Sequence, residues 1–182
     1  NIPLALGSQR PMLEDPAQAA SYWVRDIAPT IPIIGNIGAV QLNYGVTVDQ
    51  LNEMVDRSGV DALFFHLNPL QEAIQHGGDT RFTGLLERLE ETIHSLNVPA
   101  FIKEVGSGIS VRTAQKLEKL PLAGIEVAGV GGTSWAKVEA HRTPDAGQAR
   151  AGHALESWGT PTAESVRLSL IHISEPTRPT PI

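Results

Sequence analysis

The chain has 182 residues, of which 41% are hydrophobic and 19% charged, with 17 glycines and 13 prolines, as in a single globular domain cut into short segments. The net charge of −6 argues against a nucleic-acid partner bound through a broad basic surface. The lack of cysteine excludes disulfides, thiolate metal sites and a cysteine nucleophile. Since neither a membrane-length apolar run nor a signal peptide is visible, we expect a cytoplasmic protein with no membrane partner.

Five short apolar segments predict the strands of a parallel sheet. They are rich in branched or aromatic residues, as strands buried on both faces are. They lie at residues 2–10, 32–40, 60–68, 99–106 and 122–129. Helical patterns separate them, including one predicted over residues 17–28 and one that begins with a capping box of Thr47 and Gln50. The alternation indicates βα units, arranged either as a doubly wound sheet or as a (β/α)₈ barrel.

The polar residues at the strand ends favour the barrel. Each predicted strand ends in a polar or glycine-rich cluster, at residues 8–10, 36, 66–68, 103–104 and 131–133. A barrel builds its site from every strand end, whereas a doubly wound sheet concentrates polar residues at one switch point. We therefore predict an α/β fold, an incomplete (β/α)₈ TIM barrel with about strands 2 to 6, because a whole barrel needs about 250 residues. The partial barrel is expected over residues 1–166.

The last segment breaks the pattern. Residues 167–182 lose helical periodicity and become rich in proline and threonine. The string SLIHISEPTRP resembles a translated sequencing-adapter read-through, so we predict a non-native tail. The alternative is a natural disordered tail.

The densest group of polar residues follows the third predicted strand. His66 and Asn68 are two residues apart, so a strand aims them to the same side, and Gln71 and Glu72 follow. One carboxylate among amides and an imidazole suits a mostly hydrated Mg²⁺ that shares substrate phosphates. The alternative is loop polarity with a helix cap.

Other strand ends carry weaker signals. Lys103, inside an apolar strand, can hold a negative ligand group such as a reduced flavin, or form an ion pair. Asn36 can bond a planar ring or simply make a turn. The glycine-rich loop at residues 129–134 can cradle phosphate but matches no standard fingerprint. Trp135 can stack on a ligand or pack, and Glu139 can return to the site or stay solvated.

In this order, these strings resemble the FMN-dependent, type 2 isopentenyl-diphosphate isomerase family. The matching strings are LGSQR at 6–10, GNIGA at 35–39, HLNPLQE at 66–72, KEVG at 103–106 and AGVGGTSWA at 128–136, with Glu139 after them. The resemblance implies a (β/α)₈ barrel, a homo-oligomer of tetramer size or larger, and interconversion of isopentenyl and dimethylallyl diphosphate. It also implies reduced FMN, Mg²⁺ and NADPH as reductant.

The resemblance implies a role for each matching residue. The implied cofactor contacts are Ser8, Asn36, Lys103 and Thr133. The implied contacts with the small-molecule diphosphate substrate are Ser8, Gln9, Arg10, His66, Asn68 and Gln71. Glu72 would bind Mg²⁺, and the implied catalytic residues are Gln71, Trp135 and Glu139. The chain departs from the family after Ile74, where QHGGD at 75–79 replaces the usual QPEGD, and at Glu126, where Asp is common.

No side chain here is an obvious acid for an unactivated alkene, so reduced FMN is the expected acid–base, with Lys103 stabilising its anion. Because the family has further segments before and after this chain, we expect the chain alone to be inactive. The alternatives are an FMN-dependent oxidoreductase of the hydroxy-acid oxidase or nucleotide dehydrogenase type and a non-functional truncated product.

Overall fold

The computed structural model describes residues 2–170, and within them five strands form one parallel sheet. The strands are β1 (Leu4–Ala5), β2 (Ile33–Gly38), β3 (Ala62–Leu67), β4 (Ala100–Glu104) and β5 (Gly124–Glu126). They lie side by side in chain order, and every neighbouring pair is parallel. A doubly wound sheet would reverse this order at a switch point. The predicted α/β fold with partial barrel topology is confirmed, as a half-barrel.

Helices follow the strands. They are α1 (Arg10–Glu14), α2 (Ala19–Tyr22), α3 (Val48–Ser58), α4 (Pro69–Ile74), α5 (Leu85–His94), α6 (Val111–Leu117), α7 (Trp135–Arg142), α8 (Ala146–Ala154) and α9 (Thr162–Leu170). The predicted capping box begins α3: Thr47 N donates to Gln50 Oε1, and Gln50 N donates to Thr47 Oγ1. Gly59 ends this helix in the left-handed conformation, which glycine adopts without steric cost.

The long helix predicted over residues 17–28 is wrong. A 3₁₀ turn (Pro16–Gln18) leads into α2, which ends at Tyr22. The chain leaves the helix because Arg25 binds elsewhere: its guanidinium donates to Gly59 O and to Asp61 Oδ2, both at 2.7 Å. Tertiary hydrogen bonds here override a local helical preference.

The two faces of the sheet differ in character. One face is apolar and belongs to a single buried cluster with residues of α3, α5 and α6. Its strand members are Ile37, Leu63, Phe65, Ala100 and Ile102. The opposite face carries Asn36, His66 and Lys103, all half-buried. Ile34, Phe64 and Phe101 lie on the same face as these polar residues. Helices on one face, and packed side chains with polar groups at the strand ends on the other, are what the outside and inside of a barrel wall require.

The chain continues around the sheet beyond β5. Val130 forms a parallel bridge with Pro161, and α9 starts at Thr162. Residues 167–170 extend α9, while residues 171–182 of the predicted tail lie outside the described residues. Among the described helices, none combines the length and apolarity that a membrane crossing needs.

Replacing one isoleucine on each face of the sheet by alanine tests which face packs against the helices. Ile102 is fully buried against the helices, whereas Ile34 lies half-buried on the inner face. We expect Ile102→Ala to cost about 3 kcal/mol of unfolding free energy, because it leaves a cavity in a close-packed core. Ile34→Ala should cost less than half as much. Urea unfolding of both variants measures this, and the reverse ranking would contradict the face assignment.

Candidate active site

A cavity of about 610 Å³ opens on the inner face, at the carboxyl ends of the strands. The loop or end of each of the five strands contributes to its wall, and its volume suits a small-molecule ligand. Nine of the twelve predicted site residues line it: Ser8, Arg10, Asn36, His66, Gln71, Glu72, Lys103, Thr133 and Trp135. Side chains that are far apart in sequence therefore share one surface.

Gln9 does not face this cavity. It is fully buried; its Oε1 accepts from Asn36 N at 3.0 Å, and its Nε2 donates to Met12 Sδ at 3.3 Å. Gly35 makes room for this amide, because a Cβ there would lie 2.6 Å from Gln9 Oε1. The geometry gives no support to the expected substrate contact of Gln9, since both ends of its amide bind the protein and hold β2.

Asn68 and Glu139 are also buried, behind the cavity wall. Asn68 Nδ2 donates to Glu72 Oε1 at 2.7 Å and, at 3.3 Å, to Gln71 Oε1. Gln71 Nε2 in turn donates to Glu139 Oε1 at 3.0 Å, which also accepts from Arg142 Nη1 at 3.2 Å. This chain of hydrogen bonds joins α4 to α7 and fixes which end of the Gln71 amide faces which partner.

The start of α4 explains how these residues meet. Asn68 leaves the strand with φ −134° and ψ 43°, and Pro69 occupies the first helical turn, where its missing N–H costs nothing. The helix then brings Glu72, four residues after Asn68, onto the same side. The sequence pattern of a proline-stopped strand followed by polar residues thus produces a compact carboxamide–carboxylate pair.

His66 is held in one tautomer. Asn36 Nδ2 donates to Leu6 O at 3.0 Å, so Asn36 Oδ1 faces His66 Nδ1, 2.8 Å away, and that nitrogen must carry the proton. Burial first, and the nearby positive Lys103 second, lower the pKa of His66 to about 4. At neutral pH, His66 therefore keeps an unprotonated Nε2 that can accept a hydrogen bond.

Lys103 keeps donor capacity for a ligand. Its Nζ donates to Glu104 O at 2.8 Å and lies 3.7 Å from Glu126 Oε2. Because Glu126 is half exposed, this ion pair contributes little and can be displaced. The ion pair that the sequence offered as one interpretation of Lys103 exists, and Lys103 also lines the cavity; that it holds a ligand stays a prediction.

Glu104 has a role that sequence reasoning missed. Its Oε2 accepts hydrogen bonds from the backbone N–H groups of Val105, Gly106, Ser107 and Gly108. Burial raises the pKa of Glu104, and the four N–H donors act against that rise because they favour the charged form. Its carboxylate shapes the loop that follows β4. In the sequence, this role is indicated by a Glu that stands two residues before Gly-Ser-Gly.

The glycine-rich loop after β5 forms the far wall. Ala128 has φ +31°, a conformation rare for a residue with a Cβ, and marks strain at the cavity. A Cβ on Gly129 would lie 2.5 Å from Thr160 O, so glycine is required there. Trp135, 39% exposed, begins α7, and Ser134 Oγ caps that helix by accepting from Lys137 N.

Asp79 is a second residue that sequence reasoning noted only as part of a divergent loop. Its Oδ2 accepts from Arg10 Nη1 at 2.7 Å and from Gln41 Nε2 at 2.8 Å. Its backbone N–H donates to Glu72 Oε2 at 2.7 Å. A Cβ on Gly78 would overlap Glu72 O, so the tight turn that delivers Asp79 requires glycine. The glycine pair before Asp79 was the signal.

The residues fit a Mg²⁺ ion only if a bound ligand and water supply part of its coordination. Each Glu72 oxygen already accepts one hydrogen bond, which leaves lone pairs for a cation, and Asn68 Oδ1 is buried without a partner. Residues 2–170 contain no group of three or more His, Asp or Glu side chains placed to hold a metal. One carboxylate and one amide oxygen suit an ion that keeps water and binds ligand phosphates.

The residues also fit an anionic, planar cofactor. Lys103 offers a cation, Gly132 and Thr133 offer backbone, and Trp135 offers an aromatic face at the same cavity. A parallel sheet in barrel order with this cavity at its carboxyl ends defines the class: part of a (β/α)₈ barrel with a ligand cavity at the usual place.

Comparison with known proteins identifies the relatives within that class. The chain is homologous to isopentenyl-diphosphate delta-isomerases, which confirms the resemblance read from the sequence. Identity is 49% to the protein of Synechococcus sp. and 47% to that of Synechocystis sp., each over 166 residues and 91% of this chain. The chain spans about half the length of these curated relatives, 48% in both cases. No family model matches the chain.

Similarity to solved structures is weaker. The YdjI aldolase from Escherichia coli K12 aligns over 93% of this chain and 57% of its own, with 18% identity and a TM-score of 0.46. The fold assignment rests on the strand order and the two faces of the sheet instead.

His66 gives a prediction for the pH dependence of stability. Its folded pKa of about 4 lies below the unfolded value of 6.5, so the unfolded state takes up a proton first as the pH falls. The contribution of the neutral ring to the free energy of unfolding is complete above pH 6.5. It falls by about 3 kcal/mol as the pH is lowered toward 4.

We expect His66→Gln to remove this loss relative to the wild type in urea unfolding at pH 7 and pH 4.5. The exposed His94 provides the control, since His94→Gln should leave the pH dependence unchanged. Equal pH dependence in wild type and His66→Gln would contradict the low pKa of His66.

Proposed function

We propose that this chain forms the substrate-facing half of an isopentenyl-diphosphate delta-isomerase that works with reduced FMN and Mg²⁺. The observation that carries the proposal is the convergence of nine residues, drawn from five strand ends, on one cavity in a chain 49% identical to such an enzyme. The reaction moves a carbon–carbon double bond: one carbon gains a proton, another loses one, and there is no net redox change.

The diphosphate end of the substrate would bind at Arg10 and Ser8, which line the cavity. His66 lines the same cavity, and its unprotonated Nε2 would accept a hydrogen bond from water or from a donor of the ligand. Arginine suits a diphosphate because its planar fork donates two parallel hydrogen bonds. Glu72 and Asn68 would share a Mg²⁺ ion with the same phosphates. Binding energy from this end, remote from the reacting carbons, would orient the alkene.

The alkene end would lie against Gln71, Trp135 and the flavin site. The Gln71 amide is fixed by Asn68 and Glu139, so it presents a defined edge to the cavity. Glu139, bonded to Gln71 and to Arg142, would hold the Gln71 amide in this orientation while remaining shielded from water. Trp135 would cover the reacting carbons and exclude solvent.

Ser8, Asn36, Lys103 and Thr133 would hold FMN. Reduced flavin, when bound, supplies the acid–base chemistry that an unactivated alkene needs, and NADPH is the expected reductant. Lys103 would stabilise negative charge on the ring. Asn36 would hold its place through Leu6 O and His66, and one hydrogen of its Nδ2 remains available for the cofactor.

A chimera tests this proposal. Residues 2–166, the predicted barrel segment, replace the matching segment of the Synechococcus relative, which restores a full-length protein. We expect isomerase turnover that requires both reduced FMN and Mg²⁺. Lys103→Met should lower kcat about 100-fold or more, because one preorganised charge at a reacting centre is worth that much. Lys119→Met, at an exposed lysine, is the matched control.

Two results would contradict the proposal. One is a folded, flavin-loaded chimera that fails to isomerise isopentenyl diphosphate. The other is net oxidation of a 2-hydroxy acid or a nucleotide by that chimera, which would indicate an FMN-dependent oxidoreductase.

The 182-residue chain by itself should be inactive. β1 and β5 are the two edges of its sheet, so the five described strands do not close into a barrel around the cavity. We expect no isomerisation above background with reduced FMN, Mg²⁺ and isopentenyl diphosphate, followed by product analysis over hours. Flavin-dependent turnover by this chain would overturn that expectation.

A further inference from the structure

We infer that Asp79 is an internal anion, which holds two donors of the cavity wall, Arg10 and Gln41, until a diphosphate displaces it. This inference rests on the proposed function, because it assigns Arg10 to a diphosphate. Two donors that line the cavity, Arg10 Nη1 and Gln41 Nε2, converge on the single atom Asp79 Oδ2 at 2.7 and 2.8 Å. A phosphate oxygen entering the cavity needs the same two donors.

The surroundings show that this carboxylate sits in a shielded position. Its side chain is only 14% exposed, and Gln41 is 7% exposed. Arg10 is 46% exposed and also donates from Nε to Glu14 Oε1 at 2.8 Å, on the solvent side. The guanidinium thus binds an exposed carboxylate, Glu14, and a shielded one, Asp79. Only Asp79 also holds Gln41, the second donor of the cavity wall, so a ligand that takes both donors must displace Asp79 rather than Glu14.

The loop that carries Asp79 does not need this carboxylate to hold its shape. Asp79 N donates to Glu72 Oε2, and Gly78 N donates to Gln75 O at 3.1 Å. At its other end, Asn43 Nδ2 donates to Arg81 O at 2.6 Å and to Thr83 O at 3.1 Å. Backbone groups therefore anchor the loop at both ends, and the side chain of Asp79 is free to exchange partners.

A diphosphate can win this exchange because of its charge and shape. It brings more negative charge than one carboxylate and can take both prongs of the guanidinium. Breaking the Arg10–Asp79 pair lowers the net affinity of any anion that binds there, because the cost of separating the pair is subtracted from the binding energy. Until then, Asp79 keeps Arg10 and Gln41 ordered and excludes weakly bound anions.

Pyrophosphate binding to the full 182-residue chain tests the inference. Calorimetry in the presence of EDTA removes the contribution of divalent cations. Asp79→Asn should bind pyrophosphate about three- to tenfold more tightly than the wild type, since a neutral amide of the same shape competes less for Arg10. Glu14→Gln removes the same unit of charge from the outer side of Arg10 and should change the affinity less than twofold.

Two further measurements separate the effect from a change in folding. Asp79→Ser keeps the backbone N–H bond to Glu72 and should show the same gain, and circular dichroism should show unchanged helix content in each variant. In the wild type, pyrophosphate should move the ¹³C signal of the Asp79 carboxylate toward that of a free side chain.

The outcomes are distinct. Wild-type binding with unchanged or weaker affinity in both Asp79 variants would overturn the role of Asp79. Arg10→Gln should abolish binding in the wild-type and Asp79→Asn backgrounds alike. Failure of every folded variant, the wild type included, to bind pyrophosphate at millimolar concentration would contradict the proposed diphosphate site itself and with it this inference.

Discussion

The parallel register of the central strands is the constraint on which the site depends. Gly38, His66 and Lys103 are direct neighbours across β2, β3 and β4, so they share one level and one face of the sheet. A slip of one residue would turn each of them toward the helices and bring apolar residues to the cavity. The buried contacts of Ile37, Phe65 and Ile102 with the helices resist such a slip. Packing on the outer face therefore sets the chemistry of the inner face.

A second tier of buried polar residues supports the cavity wall. Gln9 holds the backbone of Asn36, Asn68 holds Glu72, and Glu139 holds Gln71. A buried polar group costs free energy unless it is hydrogen-bonded, so each of these side chains is retained at a cost that its partner offsets. Active-site side chains fixed in this way lose little freedom when a ligand binds, because their orientation is already set.

The sequence predicts the strands and the shared face well, because short apolar runs that end in polar residues have few alternatives in a βα chain. It predicts less well in which direction each polar side chain points and which partner it binds. Gln9 lies between two cavity residues in the sequence, but its side chain turns away from the cavity because Gly35 leaves a space for it. That space is set by strand pairing. Asp79 and Gln41 meet across 38 residues of chain, a contact that neither local pattern nor spacing encodes. Helix boundaries fail where a tertiary bond intervenes, as at Arg25.

The backbone amides of the loop after β4 are already occupied by a carboxylate of the chain itself. Four consecutive amides there point at one spot, the arrangement by which proteins receive a phosphate, yet Glu104 fills that receptor from within the chain. An anionic group of an incoming molecule must therefore be received elsewhere in the cavity, where Ser8, Arg10 and Lys103 line the wall. By satisfying these four amides internally, the molecule keeps them from competing with the cavity's other donors for a ligand's negative charge.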